Sequence, residues 1–497
     1  MLPDCPSFHK TPSAIDWPGL TQGLPARFCA KELAVPLSHN ITYSNITYSK
    51  LFALAFDYVD FKTTPAARRT GWLLAACMLG LALIPVAGSG ADLSPVEQLG
   101  KQLFFDANLS TPVGQSCASC HSPDTGFSGP SSDTNSGSAV YPGAAPGRFG
   151  NRKPPSVAYA SFSPKRTYKQ ADETWVGGQF WDGRSDDLIE QAQGPFLNPL
   201  EMNNASGAEV VDKVRQARYR PLFERVYGPR ALDTAQTDAA FVQIATSIAA
   251  YETSREVNAF SSKYDAYLAK RATLTPQEER GLKLFAGQAN CTACHPHEAD
   301  HDGTPPLFTD FTYDNVGAPR NTANPFYQAS ATVNPAGQKY RDLALGLVVK
   351  DDAQAGKVKV PTLRNVGKRP SEDFVKSYLH NGTLKSLKEV VRFYNLRDKE
   401  PDLFAPPDVP ETVNRKELGN LGLSETDEDD LIAFLETLSD QPASDASSPP
   451  QTAPQTNPTN GPSESKDAFR GVRDIIRVER YRHRVTPASG TMEAKRR

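Results

Sequence analysis

The sequence predicts a mostly α-helical protein of two related domains with long irregular loops and little strand, on three observations. The first is an internal repeat: Leu93-Ser94-Pro95-Val96-Glu97-Gln98-Leu99-Gly100-Lys101-Gln102-Leu103-Phe104 returns as Leu274-Thr275-Pro276-Gln277-Glu278-Glu279-Arg280-Gly281-Leu282-Lys283-Leu284-Phe285. The second is a helix start in each copy, with Ser or Thr where an N-cap belongs, Pro at the first helical position and Glu at the third, which makes a capping box. The third is the Gly-, Ser- and Pro-rich stretch from Ser122 to Pro155. Loops that long occur in compact domains mainly where they wrap a ligand or carry a site.

Each repeat opens a domain. From Asp238 to Leu268, Phe241, Ile244, Ile248 and Tyr251 recur at helical spacing, so a long helix is expected to close the first domain near residue 272. The domains then span 92–272 and 273–440. From Gln441 onward Pro, Ser, Thr, Asn and Gln dominate before a basic end at Lys495, Arg496 and Arg497; such a composition buries little apolar surface, and 441–497 is expected to be a disordered tail.

Residues 66–91 have the layout of a secretory signal. Arg68 and Arg69 form the positive end, Gly71 to Ala87 the apolar run, and Ser89-Gly90-Ala91 a small-residue cleavage site, with cleavage expected after Ala91. Residues 1–65 form an extension of mixed composition before it, so a translation start downstream of Met1 is expected. A membrane anchor is the alternative; Pro85 and a run short of the roughly 20 apolar residues of a comfortable span count against it. The chain is 39% hydrophobic with a net charge of −3, enough for large cores and without the basic field that attracts nucleic acid.

A Cys-x-x-Cys-His string follows each repeat, as Cys117-Ala118-Ser119-Cys120-His121 and Cys291-Thr292-Ala293-Cys294-His295. Two cysteines three apart can form thioethers with the vinyl groups of one haem while the next histidine ligates its iron, so the string marks c-type haem attachment. Of seven cysteines, Cys5, Cys29 and Cys77 lie in or before the signal-like segment and the other four belong to the strings, which leaves none for a disulfide. The domains therefore read as cytochrome c-like, each carrying a covalent haem. Zinc is the rival, since His297 and His301 follow Cys294 closely. Zinc ribbons, however, place their cysteine pairs about 15–20 residues apart, and here most of a domain intervenes. His297 and His301 read as surface-loop residues.

The chain has eight histidines and four methionines, and no histidine lies between His121 and His295. Unless Met202 or a tyrosine closes it, the first iron is open to a small molecule. For the second haem the only methionine downstream is Met492 in the expected tail. Leu384, Leu387, Val391 and Tyr394 recur at helical spacing and place Tyr394 on a buried helix face, which on spacing alone is a core position.

Further segments carry a family resemblance. Phe180-Trp181-Asp182-Gly183-Arg184, Glu190-Gln191-Ala192-Gln193-Gly194-Pro195, Asn198-Pro199-Leu200-Glu201-Met202, Val360-Pro361-Thr362-Leu363-Arg364-Asn365 and Tyr378-Leu379-His380-Asn381-Gly382 stand in order around the two haem strings. Over roughly residues 93–438 the chain resembles the bacterial di-haem cytochrome c peroxidases and their MauG relatives. The resemblance implies that Glu201 is the distal acid of a peroxide site, that Gln191 and Pro195 line its pocket, that Trp181 relays electrons between the haems, and that His380 lies against the second haem. A carboxylate near an open iron suits peroxide cleavage, where one oxygen loses a proton and the other gains one. Tyr394 falls where the peroxidases have a methionine ligand, as it does in the MauG branch. A phenolate would favour oxidised iron, which suits drawing electrons from a substrate. The family also binds calcium between its domains through an asparagine; here Lys153 stands near that position and Asn151 is the nearest substitute.

These readings predict an exported protein, periplasmic or at the cell surface, with two covalent haems, which reacts with hydrogen peroxide at His121 and oxidises a partner protein, at a side chain such as tryptophan or tyrosine. The alternatives are a conventional peroxidase fed by a small cytochrome or cupredoxin, and a non-enzymatic electron carrier.

Overall fold

The longer helices of the computed structural model are α1 (Pro95–Phe105), α2 (Leu188–Leu197), α3 (Gly207–Gln216), α4 (Arg220–Tyr227), α5 (Thr237–Thr253), α6 (Pro276–Ala286), α7 (Leu387–Leu396) and α8 (Glu425–Glu436). The structure describes residues 93–441; the signal-like segment, the extension before it and the expected tail from residue 442 lie outside the described residues. Strand is confined, among the described residues, to two antiparallel pairs, β1 (Thr167–Lys169) with β2 (Thr174–Val176) and β3 (Tyr313–Asp314) with β4 (Val358–Lys359). The fold is mostly α, as the repeat and its capping boxes predict.

Both capping boxes close. The Ser94 amide donates to Glu97 Oε2 at 2.6 Å at the start of α1, and the Thr275 amide donates to Glu278 Oε2 at 2.7 Å at the start of α6. Each helix then crosses the last long helix of its own half at the repeat's glycine. A Cβ on Gly100 would lie 1.8 Å from the Ser247 carbonyl oxygen of α5, and one on Gly281 would lie 2.0 Å from the Asp430 carbonyl oxygen of α8. Only a residue without a side chain lets the two backbones come that close.

Around each crossing sits an apolar core. Leu99, Leu103 and Phe104 of α1 pack with Val211 of α3 and with Ile244, Ile248 and Tyr251 of α5; Phe285 of α6 packs with Leu387, Val391 and Phe393 of α7 and Phe434 of α8. Each such side chain, fully buried, contributes about 1.5–3 kcal/mol.

The long helix expected over Asp238–Leu268 is instead α5, ending at Thr253, and a separate short helix over Lys263–Leu268. Ser254 turns to an extended conformation, and the Asn258 side-chain amide donates to the Glu252 and Ser254 carbonyls at 2.8 and 3.1 Å, satisfying groups a further turn would use. The chain passes from the first core to the second across this break, between Val257 and Tyr264.

The two cores are fastened to each other by buried polar groups. Arg364 is 2% exposed, makes two hydrogen bonds to the Asp265 carboxylate at 2.8 and 3.0 Å, and lies over the rings of Phe260 and Tyr159. Asp440 accepts from Tyr159 Oη and from the Asn365 amide, both at 2.8 Å.

Candidate active site

The first haem string makes a single helical turn, Cys117–Ser119, and opens on a cavity of about 610 Å³. Cys117, Cys120 and His121 line this cavity together with Gln191, Pro195 and Glu201. The second string makes the same turn at Cys291–Ala293 and lines a cavity of about 230 Å³ with Tyr394 and His380. None of the four cysteines is in a disulfide.

Both histidines are held alike. His121 Nδ1 is 3.2 Å from the Phe127 carbonyl oxygen and His295 Nδ1 is 2.7 Å from that of Phe308. Phe127 and Phe308 have φ of 56° and 52°, a conformation uncommon for bulky residues, adopted at the equivalent place in both halves. The bond fixes each ring through Nδ1 and leaves Nε2 as the metal-binding nitrogen. Burial lowers both pKa values to about 4, so the imidazoles are neutral, the form that ligates iron.

The residues expected opposite His121 come from α2 and the turn after it. Pro195 sits inside α2 and cannot donate an amide hydrogen to the Gln191 carbonyl one turn back. The turn that follows is closed by Glu201 N–H to Asn198 O at 3.0 Å and Met202 N–H to Pro195 O at 3.1 Å. Burial raises the pKa of Glu201, while the Arg184 charge and a hydrogen bond from Asn198 pull it partly back. Met202, 3% exposed, belongs to the first core and lines the same cavity.

Tyr394 projects from α7 into the second cavity, with Leu387 and Val391 along the same face; Leu384 precedes the helix, whose N-cap is Ser386. No protein group among the described residues hydrogen-bonds to the Tyr394 hydroxyl, and burial together with Asp314 holds its pKa well above the usual value. His297 touches Phe285 at a ring distance of 6.4 Å and His301 is exposed, so neither lines a haem cavity. Among the described residues no cluster of three or more His, Cys, Asp or Glu side chains is placed to hold a metal ion.

Lys153, Ser156 and Trp181 line both cavities. Trp181 is 8% exposed, its indole Nε1 donates to the Lys153 carbonyl at 2.8 Å, and its own carbonyl accepts from Lys359 N–H at 2.8 Å. His380 stands beside it, ring centres 6.4 Å apart, with Nδ1 buried and without a partner.

Comparison with known proteins accords with this geometry. Residues 94–273 match the family described as di-haem cytochrome c peroxidase. Methylamine utilization protein MauG of Paracoccus denitrificans is 36% identical over 385 residues, covering 74% of this chain and 95% of that protein. The chain belongs to the di-haem cytochrome c peroxidase family. Cytochrome c551 peroxidase of Nitrosomonas europaea is 28% identical, covering 72% of this chain and 84% of that one. Among solved structures, the diheme peroxidase BthA of Burkholderia thailandensis matches with a TM-score of 0.61 and 35% identity, over 70% of this chain and 87% of that one.

Membership in a di-haem peroxidase family implies two c-type haems, and the residues present fit them. Each cavity pairs two cysteines with a histidine held through Nδ1, and basic groups without a carboxylate partner (Lys153 in both cavities, Lys359 in the second) suit the anionic propionate edge of a haem. Calcium does not fit. Arg152 holds both nearby carboxylates, Asp182 and Asp342, at 2.7 Å, and Lys153, which lines both cavities, brings an ammonium where a cation's ligand would be an oxygen.

Two residues of this family member's cavities escaped the sequence reading. Arg184 lies within a quoted motif, yet only the fold shows its guanidinium 3.5 Å from the Phe180 ring centre and acting on Glu201. Glu252 lines the first cavity, 4% exposed, with Oε2 unpartnered; burial raises its pKa to about 8. Its signal is a carboxylate at the next step of the Ile244–Ile248 stripe, where the spacing calls for an apolar residue.

Proposed function

We propose that the chain is an exported di-haem oxidoreductase that reduces hydrogen peroxide at the His121 site and withdraws the electrons, through Trp181 and the His295–Tyr394 site, from a side chain of a partner protein, in the manner of its MauG relatives. The observation that carries this reading is Trp181 lining both cavities, with Tyr394 lining the second. The domains are taken as 92–272 for the peroxide-reacting haem and 273–440 for the electron-transferring one.

A haem held on each string by its two cysteines and histidine would supply an iron that exchanges electrons and reacts with peroxide. Peroxide reduction consumes two electrons and two protons per molecule and yields two waters. The Glu201 carboxylate takes a proton from one peroxide oxygen and returns it to the leaving oxygen, and its raised pKa makes that return easier. The Arg184 charge favours its ionised form, the one that acts as the base first. Gln191 and Pro195 shape the space in which peroxide lies. The larger first cavity supports room for a ligand beside the haem there, and the smaller second one supports closure by Tyr394.

The test offers peroxide-treated holoprotein either a reduced small cytochrome or cupredoxin, or the product of the neighbouring gene. The proposal expects a mass change on a tryptophan or tyrosine of the latter. Rapid multiple turnover with the cytochrome and no modified protein would instead make this a conventional peroxidase. A carrier without enzymatic activity would bind neither peroxide nor cyanide in the oxidised state.

A further inference from the structure

Three lysines line the second cavity without a carboxylate partner among the described residues, and Lys153 alone of them also lines the first. Lys376, 8% exposed, gives its ammonium to the carbonyls of Thr125, Asn365 and Lys368 at 2.9, 2.7 and 3.0 Å. Lys359 donates to the Gly178 carbonyl and lies 3.4 Å from Ser163 Oγ. Lys153 differs from both. Its ammonium has one protein acceptor, the Pro154 carbonyl at 3.1 Å, and stands 5.7 Å from the centre of the Trp181 ring. Its backbone carbonyl takes the indole N–H of the same tryptophan, and its amide donates to the His380 carbonyl at 2.9 Å.

One residue thus grips Trp181 twice, by a hydrogen bond at the ring nitrogen and by a charge near the ring, while tied to the loop bearing His380. A divalent cation there would need six to eight oxygen ligands. The nearby carboxylates, Asp182 and Asp342, are already committed to Arg152.

We propose that Lys153 is the built-in cation of the space between the two haem sites, and that it positions Trp181 and sets the charge the indole experiences. The inference rests on Trp181 being the electron link. An ammonium near an aromatic ring is attracted to its electron-rich face and opposes removal of an electron from it. Lys153 therefore keeps the indole oriented between the sites while disfavouring an oxidised tryptophan, so that an electron passes from the second site to the first without the ring being held one electron short. While protonated, below a pKa that burial lowers to about 8, the ammonium also raises the reduction potential of both haems, because oxidation adds positive charge beside it.

The holoprotein provides the test. Elemental analysis should find no stoichiometric calcium, and prolonged chelation should leave both midpoint potentials where they were. In redox titrations Lys153→Met should move both potentials to more negative values, and Lys153→Arg should restore most of the shift. After peroxide, electron paramagnetic resonance should show a tryptophan radical in Lys153→Met that is weak or missing in the parent. One calcium per chain in the parent, or unchanged potentials in Lys153→Met, overturns the inference even if partner oxidation falls. Should the methionine variant fail to fold, the metal analysis of the parent and the potentials of Lys153→Arg, expected close to the parent's, still decide. Failure of the functional reading shows elsewhere, as a Trp181→Phe variant that oxidises its partner at the parent's rate.

Discussion

At the scale of single residues, the two cavities differ in the acids and phenols they hold. Glu201 must accept a proton before it can return one, so the second-order rate of peroxide reaction should rise as pH climbs through its raised pKa. Glu201→Gln should lose that limb and about 10²–10⁴ of the rate while keeping its haem content, as stopped-flow spectra across pH will show. For Tyr394→Met the readout is the spectrum of the second haem: the methionine variant should shift that haem to a higher potential, and an unchanged spectrum would remove Tyr394 as a ligand. Glu252 acts on stability. It keeps its proton in the fold up to about pH 8, whereas in the unfolded chain it titrates near ~4.3, so between these values only the folded state holds the proton and stability falls as pH rises. Glu252→Gln should therefore be more stable than the parent by a few kcal/mol at pH 8 and nearly equal to it at pH 4, measured by denaturant unfolding; a difference independent of pH would contradict the account.

At the scale of elements, local chemistry was legible and long-range chemistry was not. The capping boxes could be read because donor and acceptor lie three residues apart, and both helices start where the Ser or Thr says. The end of α5 could not, because it depends on the Asn258 side chain folding back on the Glu252 and Ser254 carbonyls, an interaction with no periodic trace. The repeat's glycines were visible as letters, but their purpose belongs to the crossings of α1 with α5 and of α6 with α8. Gly281→Ala places a methyl group against the Asp430 carbonyl, and parting two packed helices costs roughly 1–3 kcal/mol or more. Gly100→Ala meets Ser247 in the same way. Each variant should lower the Tm of the holoprotein by several degrees, as calorimetry will register, and an alanine that leaves Tm unchanged would show that the helices part freely.

At the scale of the whole molecule, the sequence marks two haem strings and a tryptophan but not their juxtaposition. That depends on contacts between distant segments: Lys359 N–H on the Trp181 carbonyl, Arg152 on Asp342, Tyr159 on Asp440. Gln191, Pro195 and Glu201 could be gathered from motif order, and the fold sets them on one cavity with His121; Trp181 belongs to that cavity and to the next. The consequence is a division of labour that one substitution can separate. Trp181→Phe keeps an aromatic ring but removes the N–H that binds the Lys153 carbonyl and makes the ring harder to oxidise. Peroxide should still react at the His121 site at close to the parent's rate, since none of the groups argued to move its protons has changed. Oxidation of the partner should fall by at least about tenfold, the equivalent of ~1.4 kcal/mol on the barrier. Stopped-flow spectra and partner turnover, measured on the same preparation, distinguish the outcomes. If both rates fall together, Trp181 supports the peroxide site itself; if neither does, the electrons travel by another route.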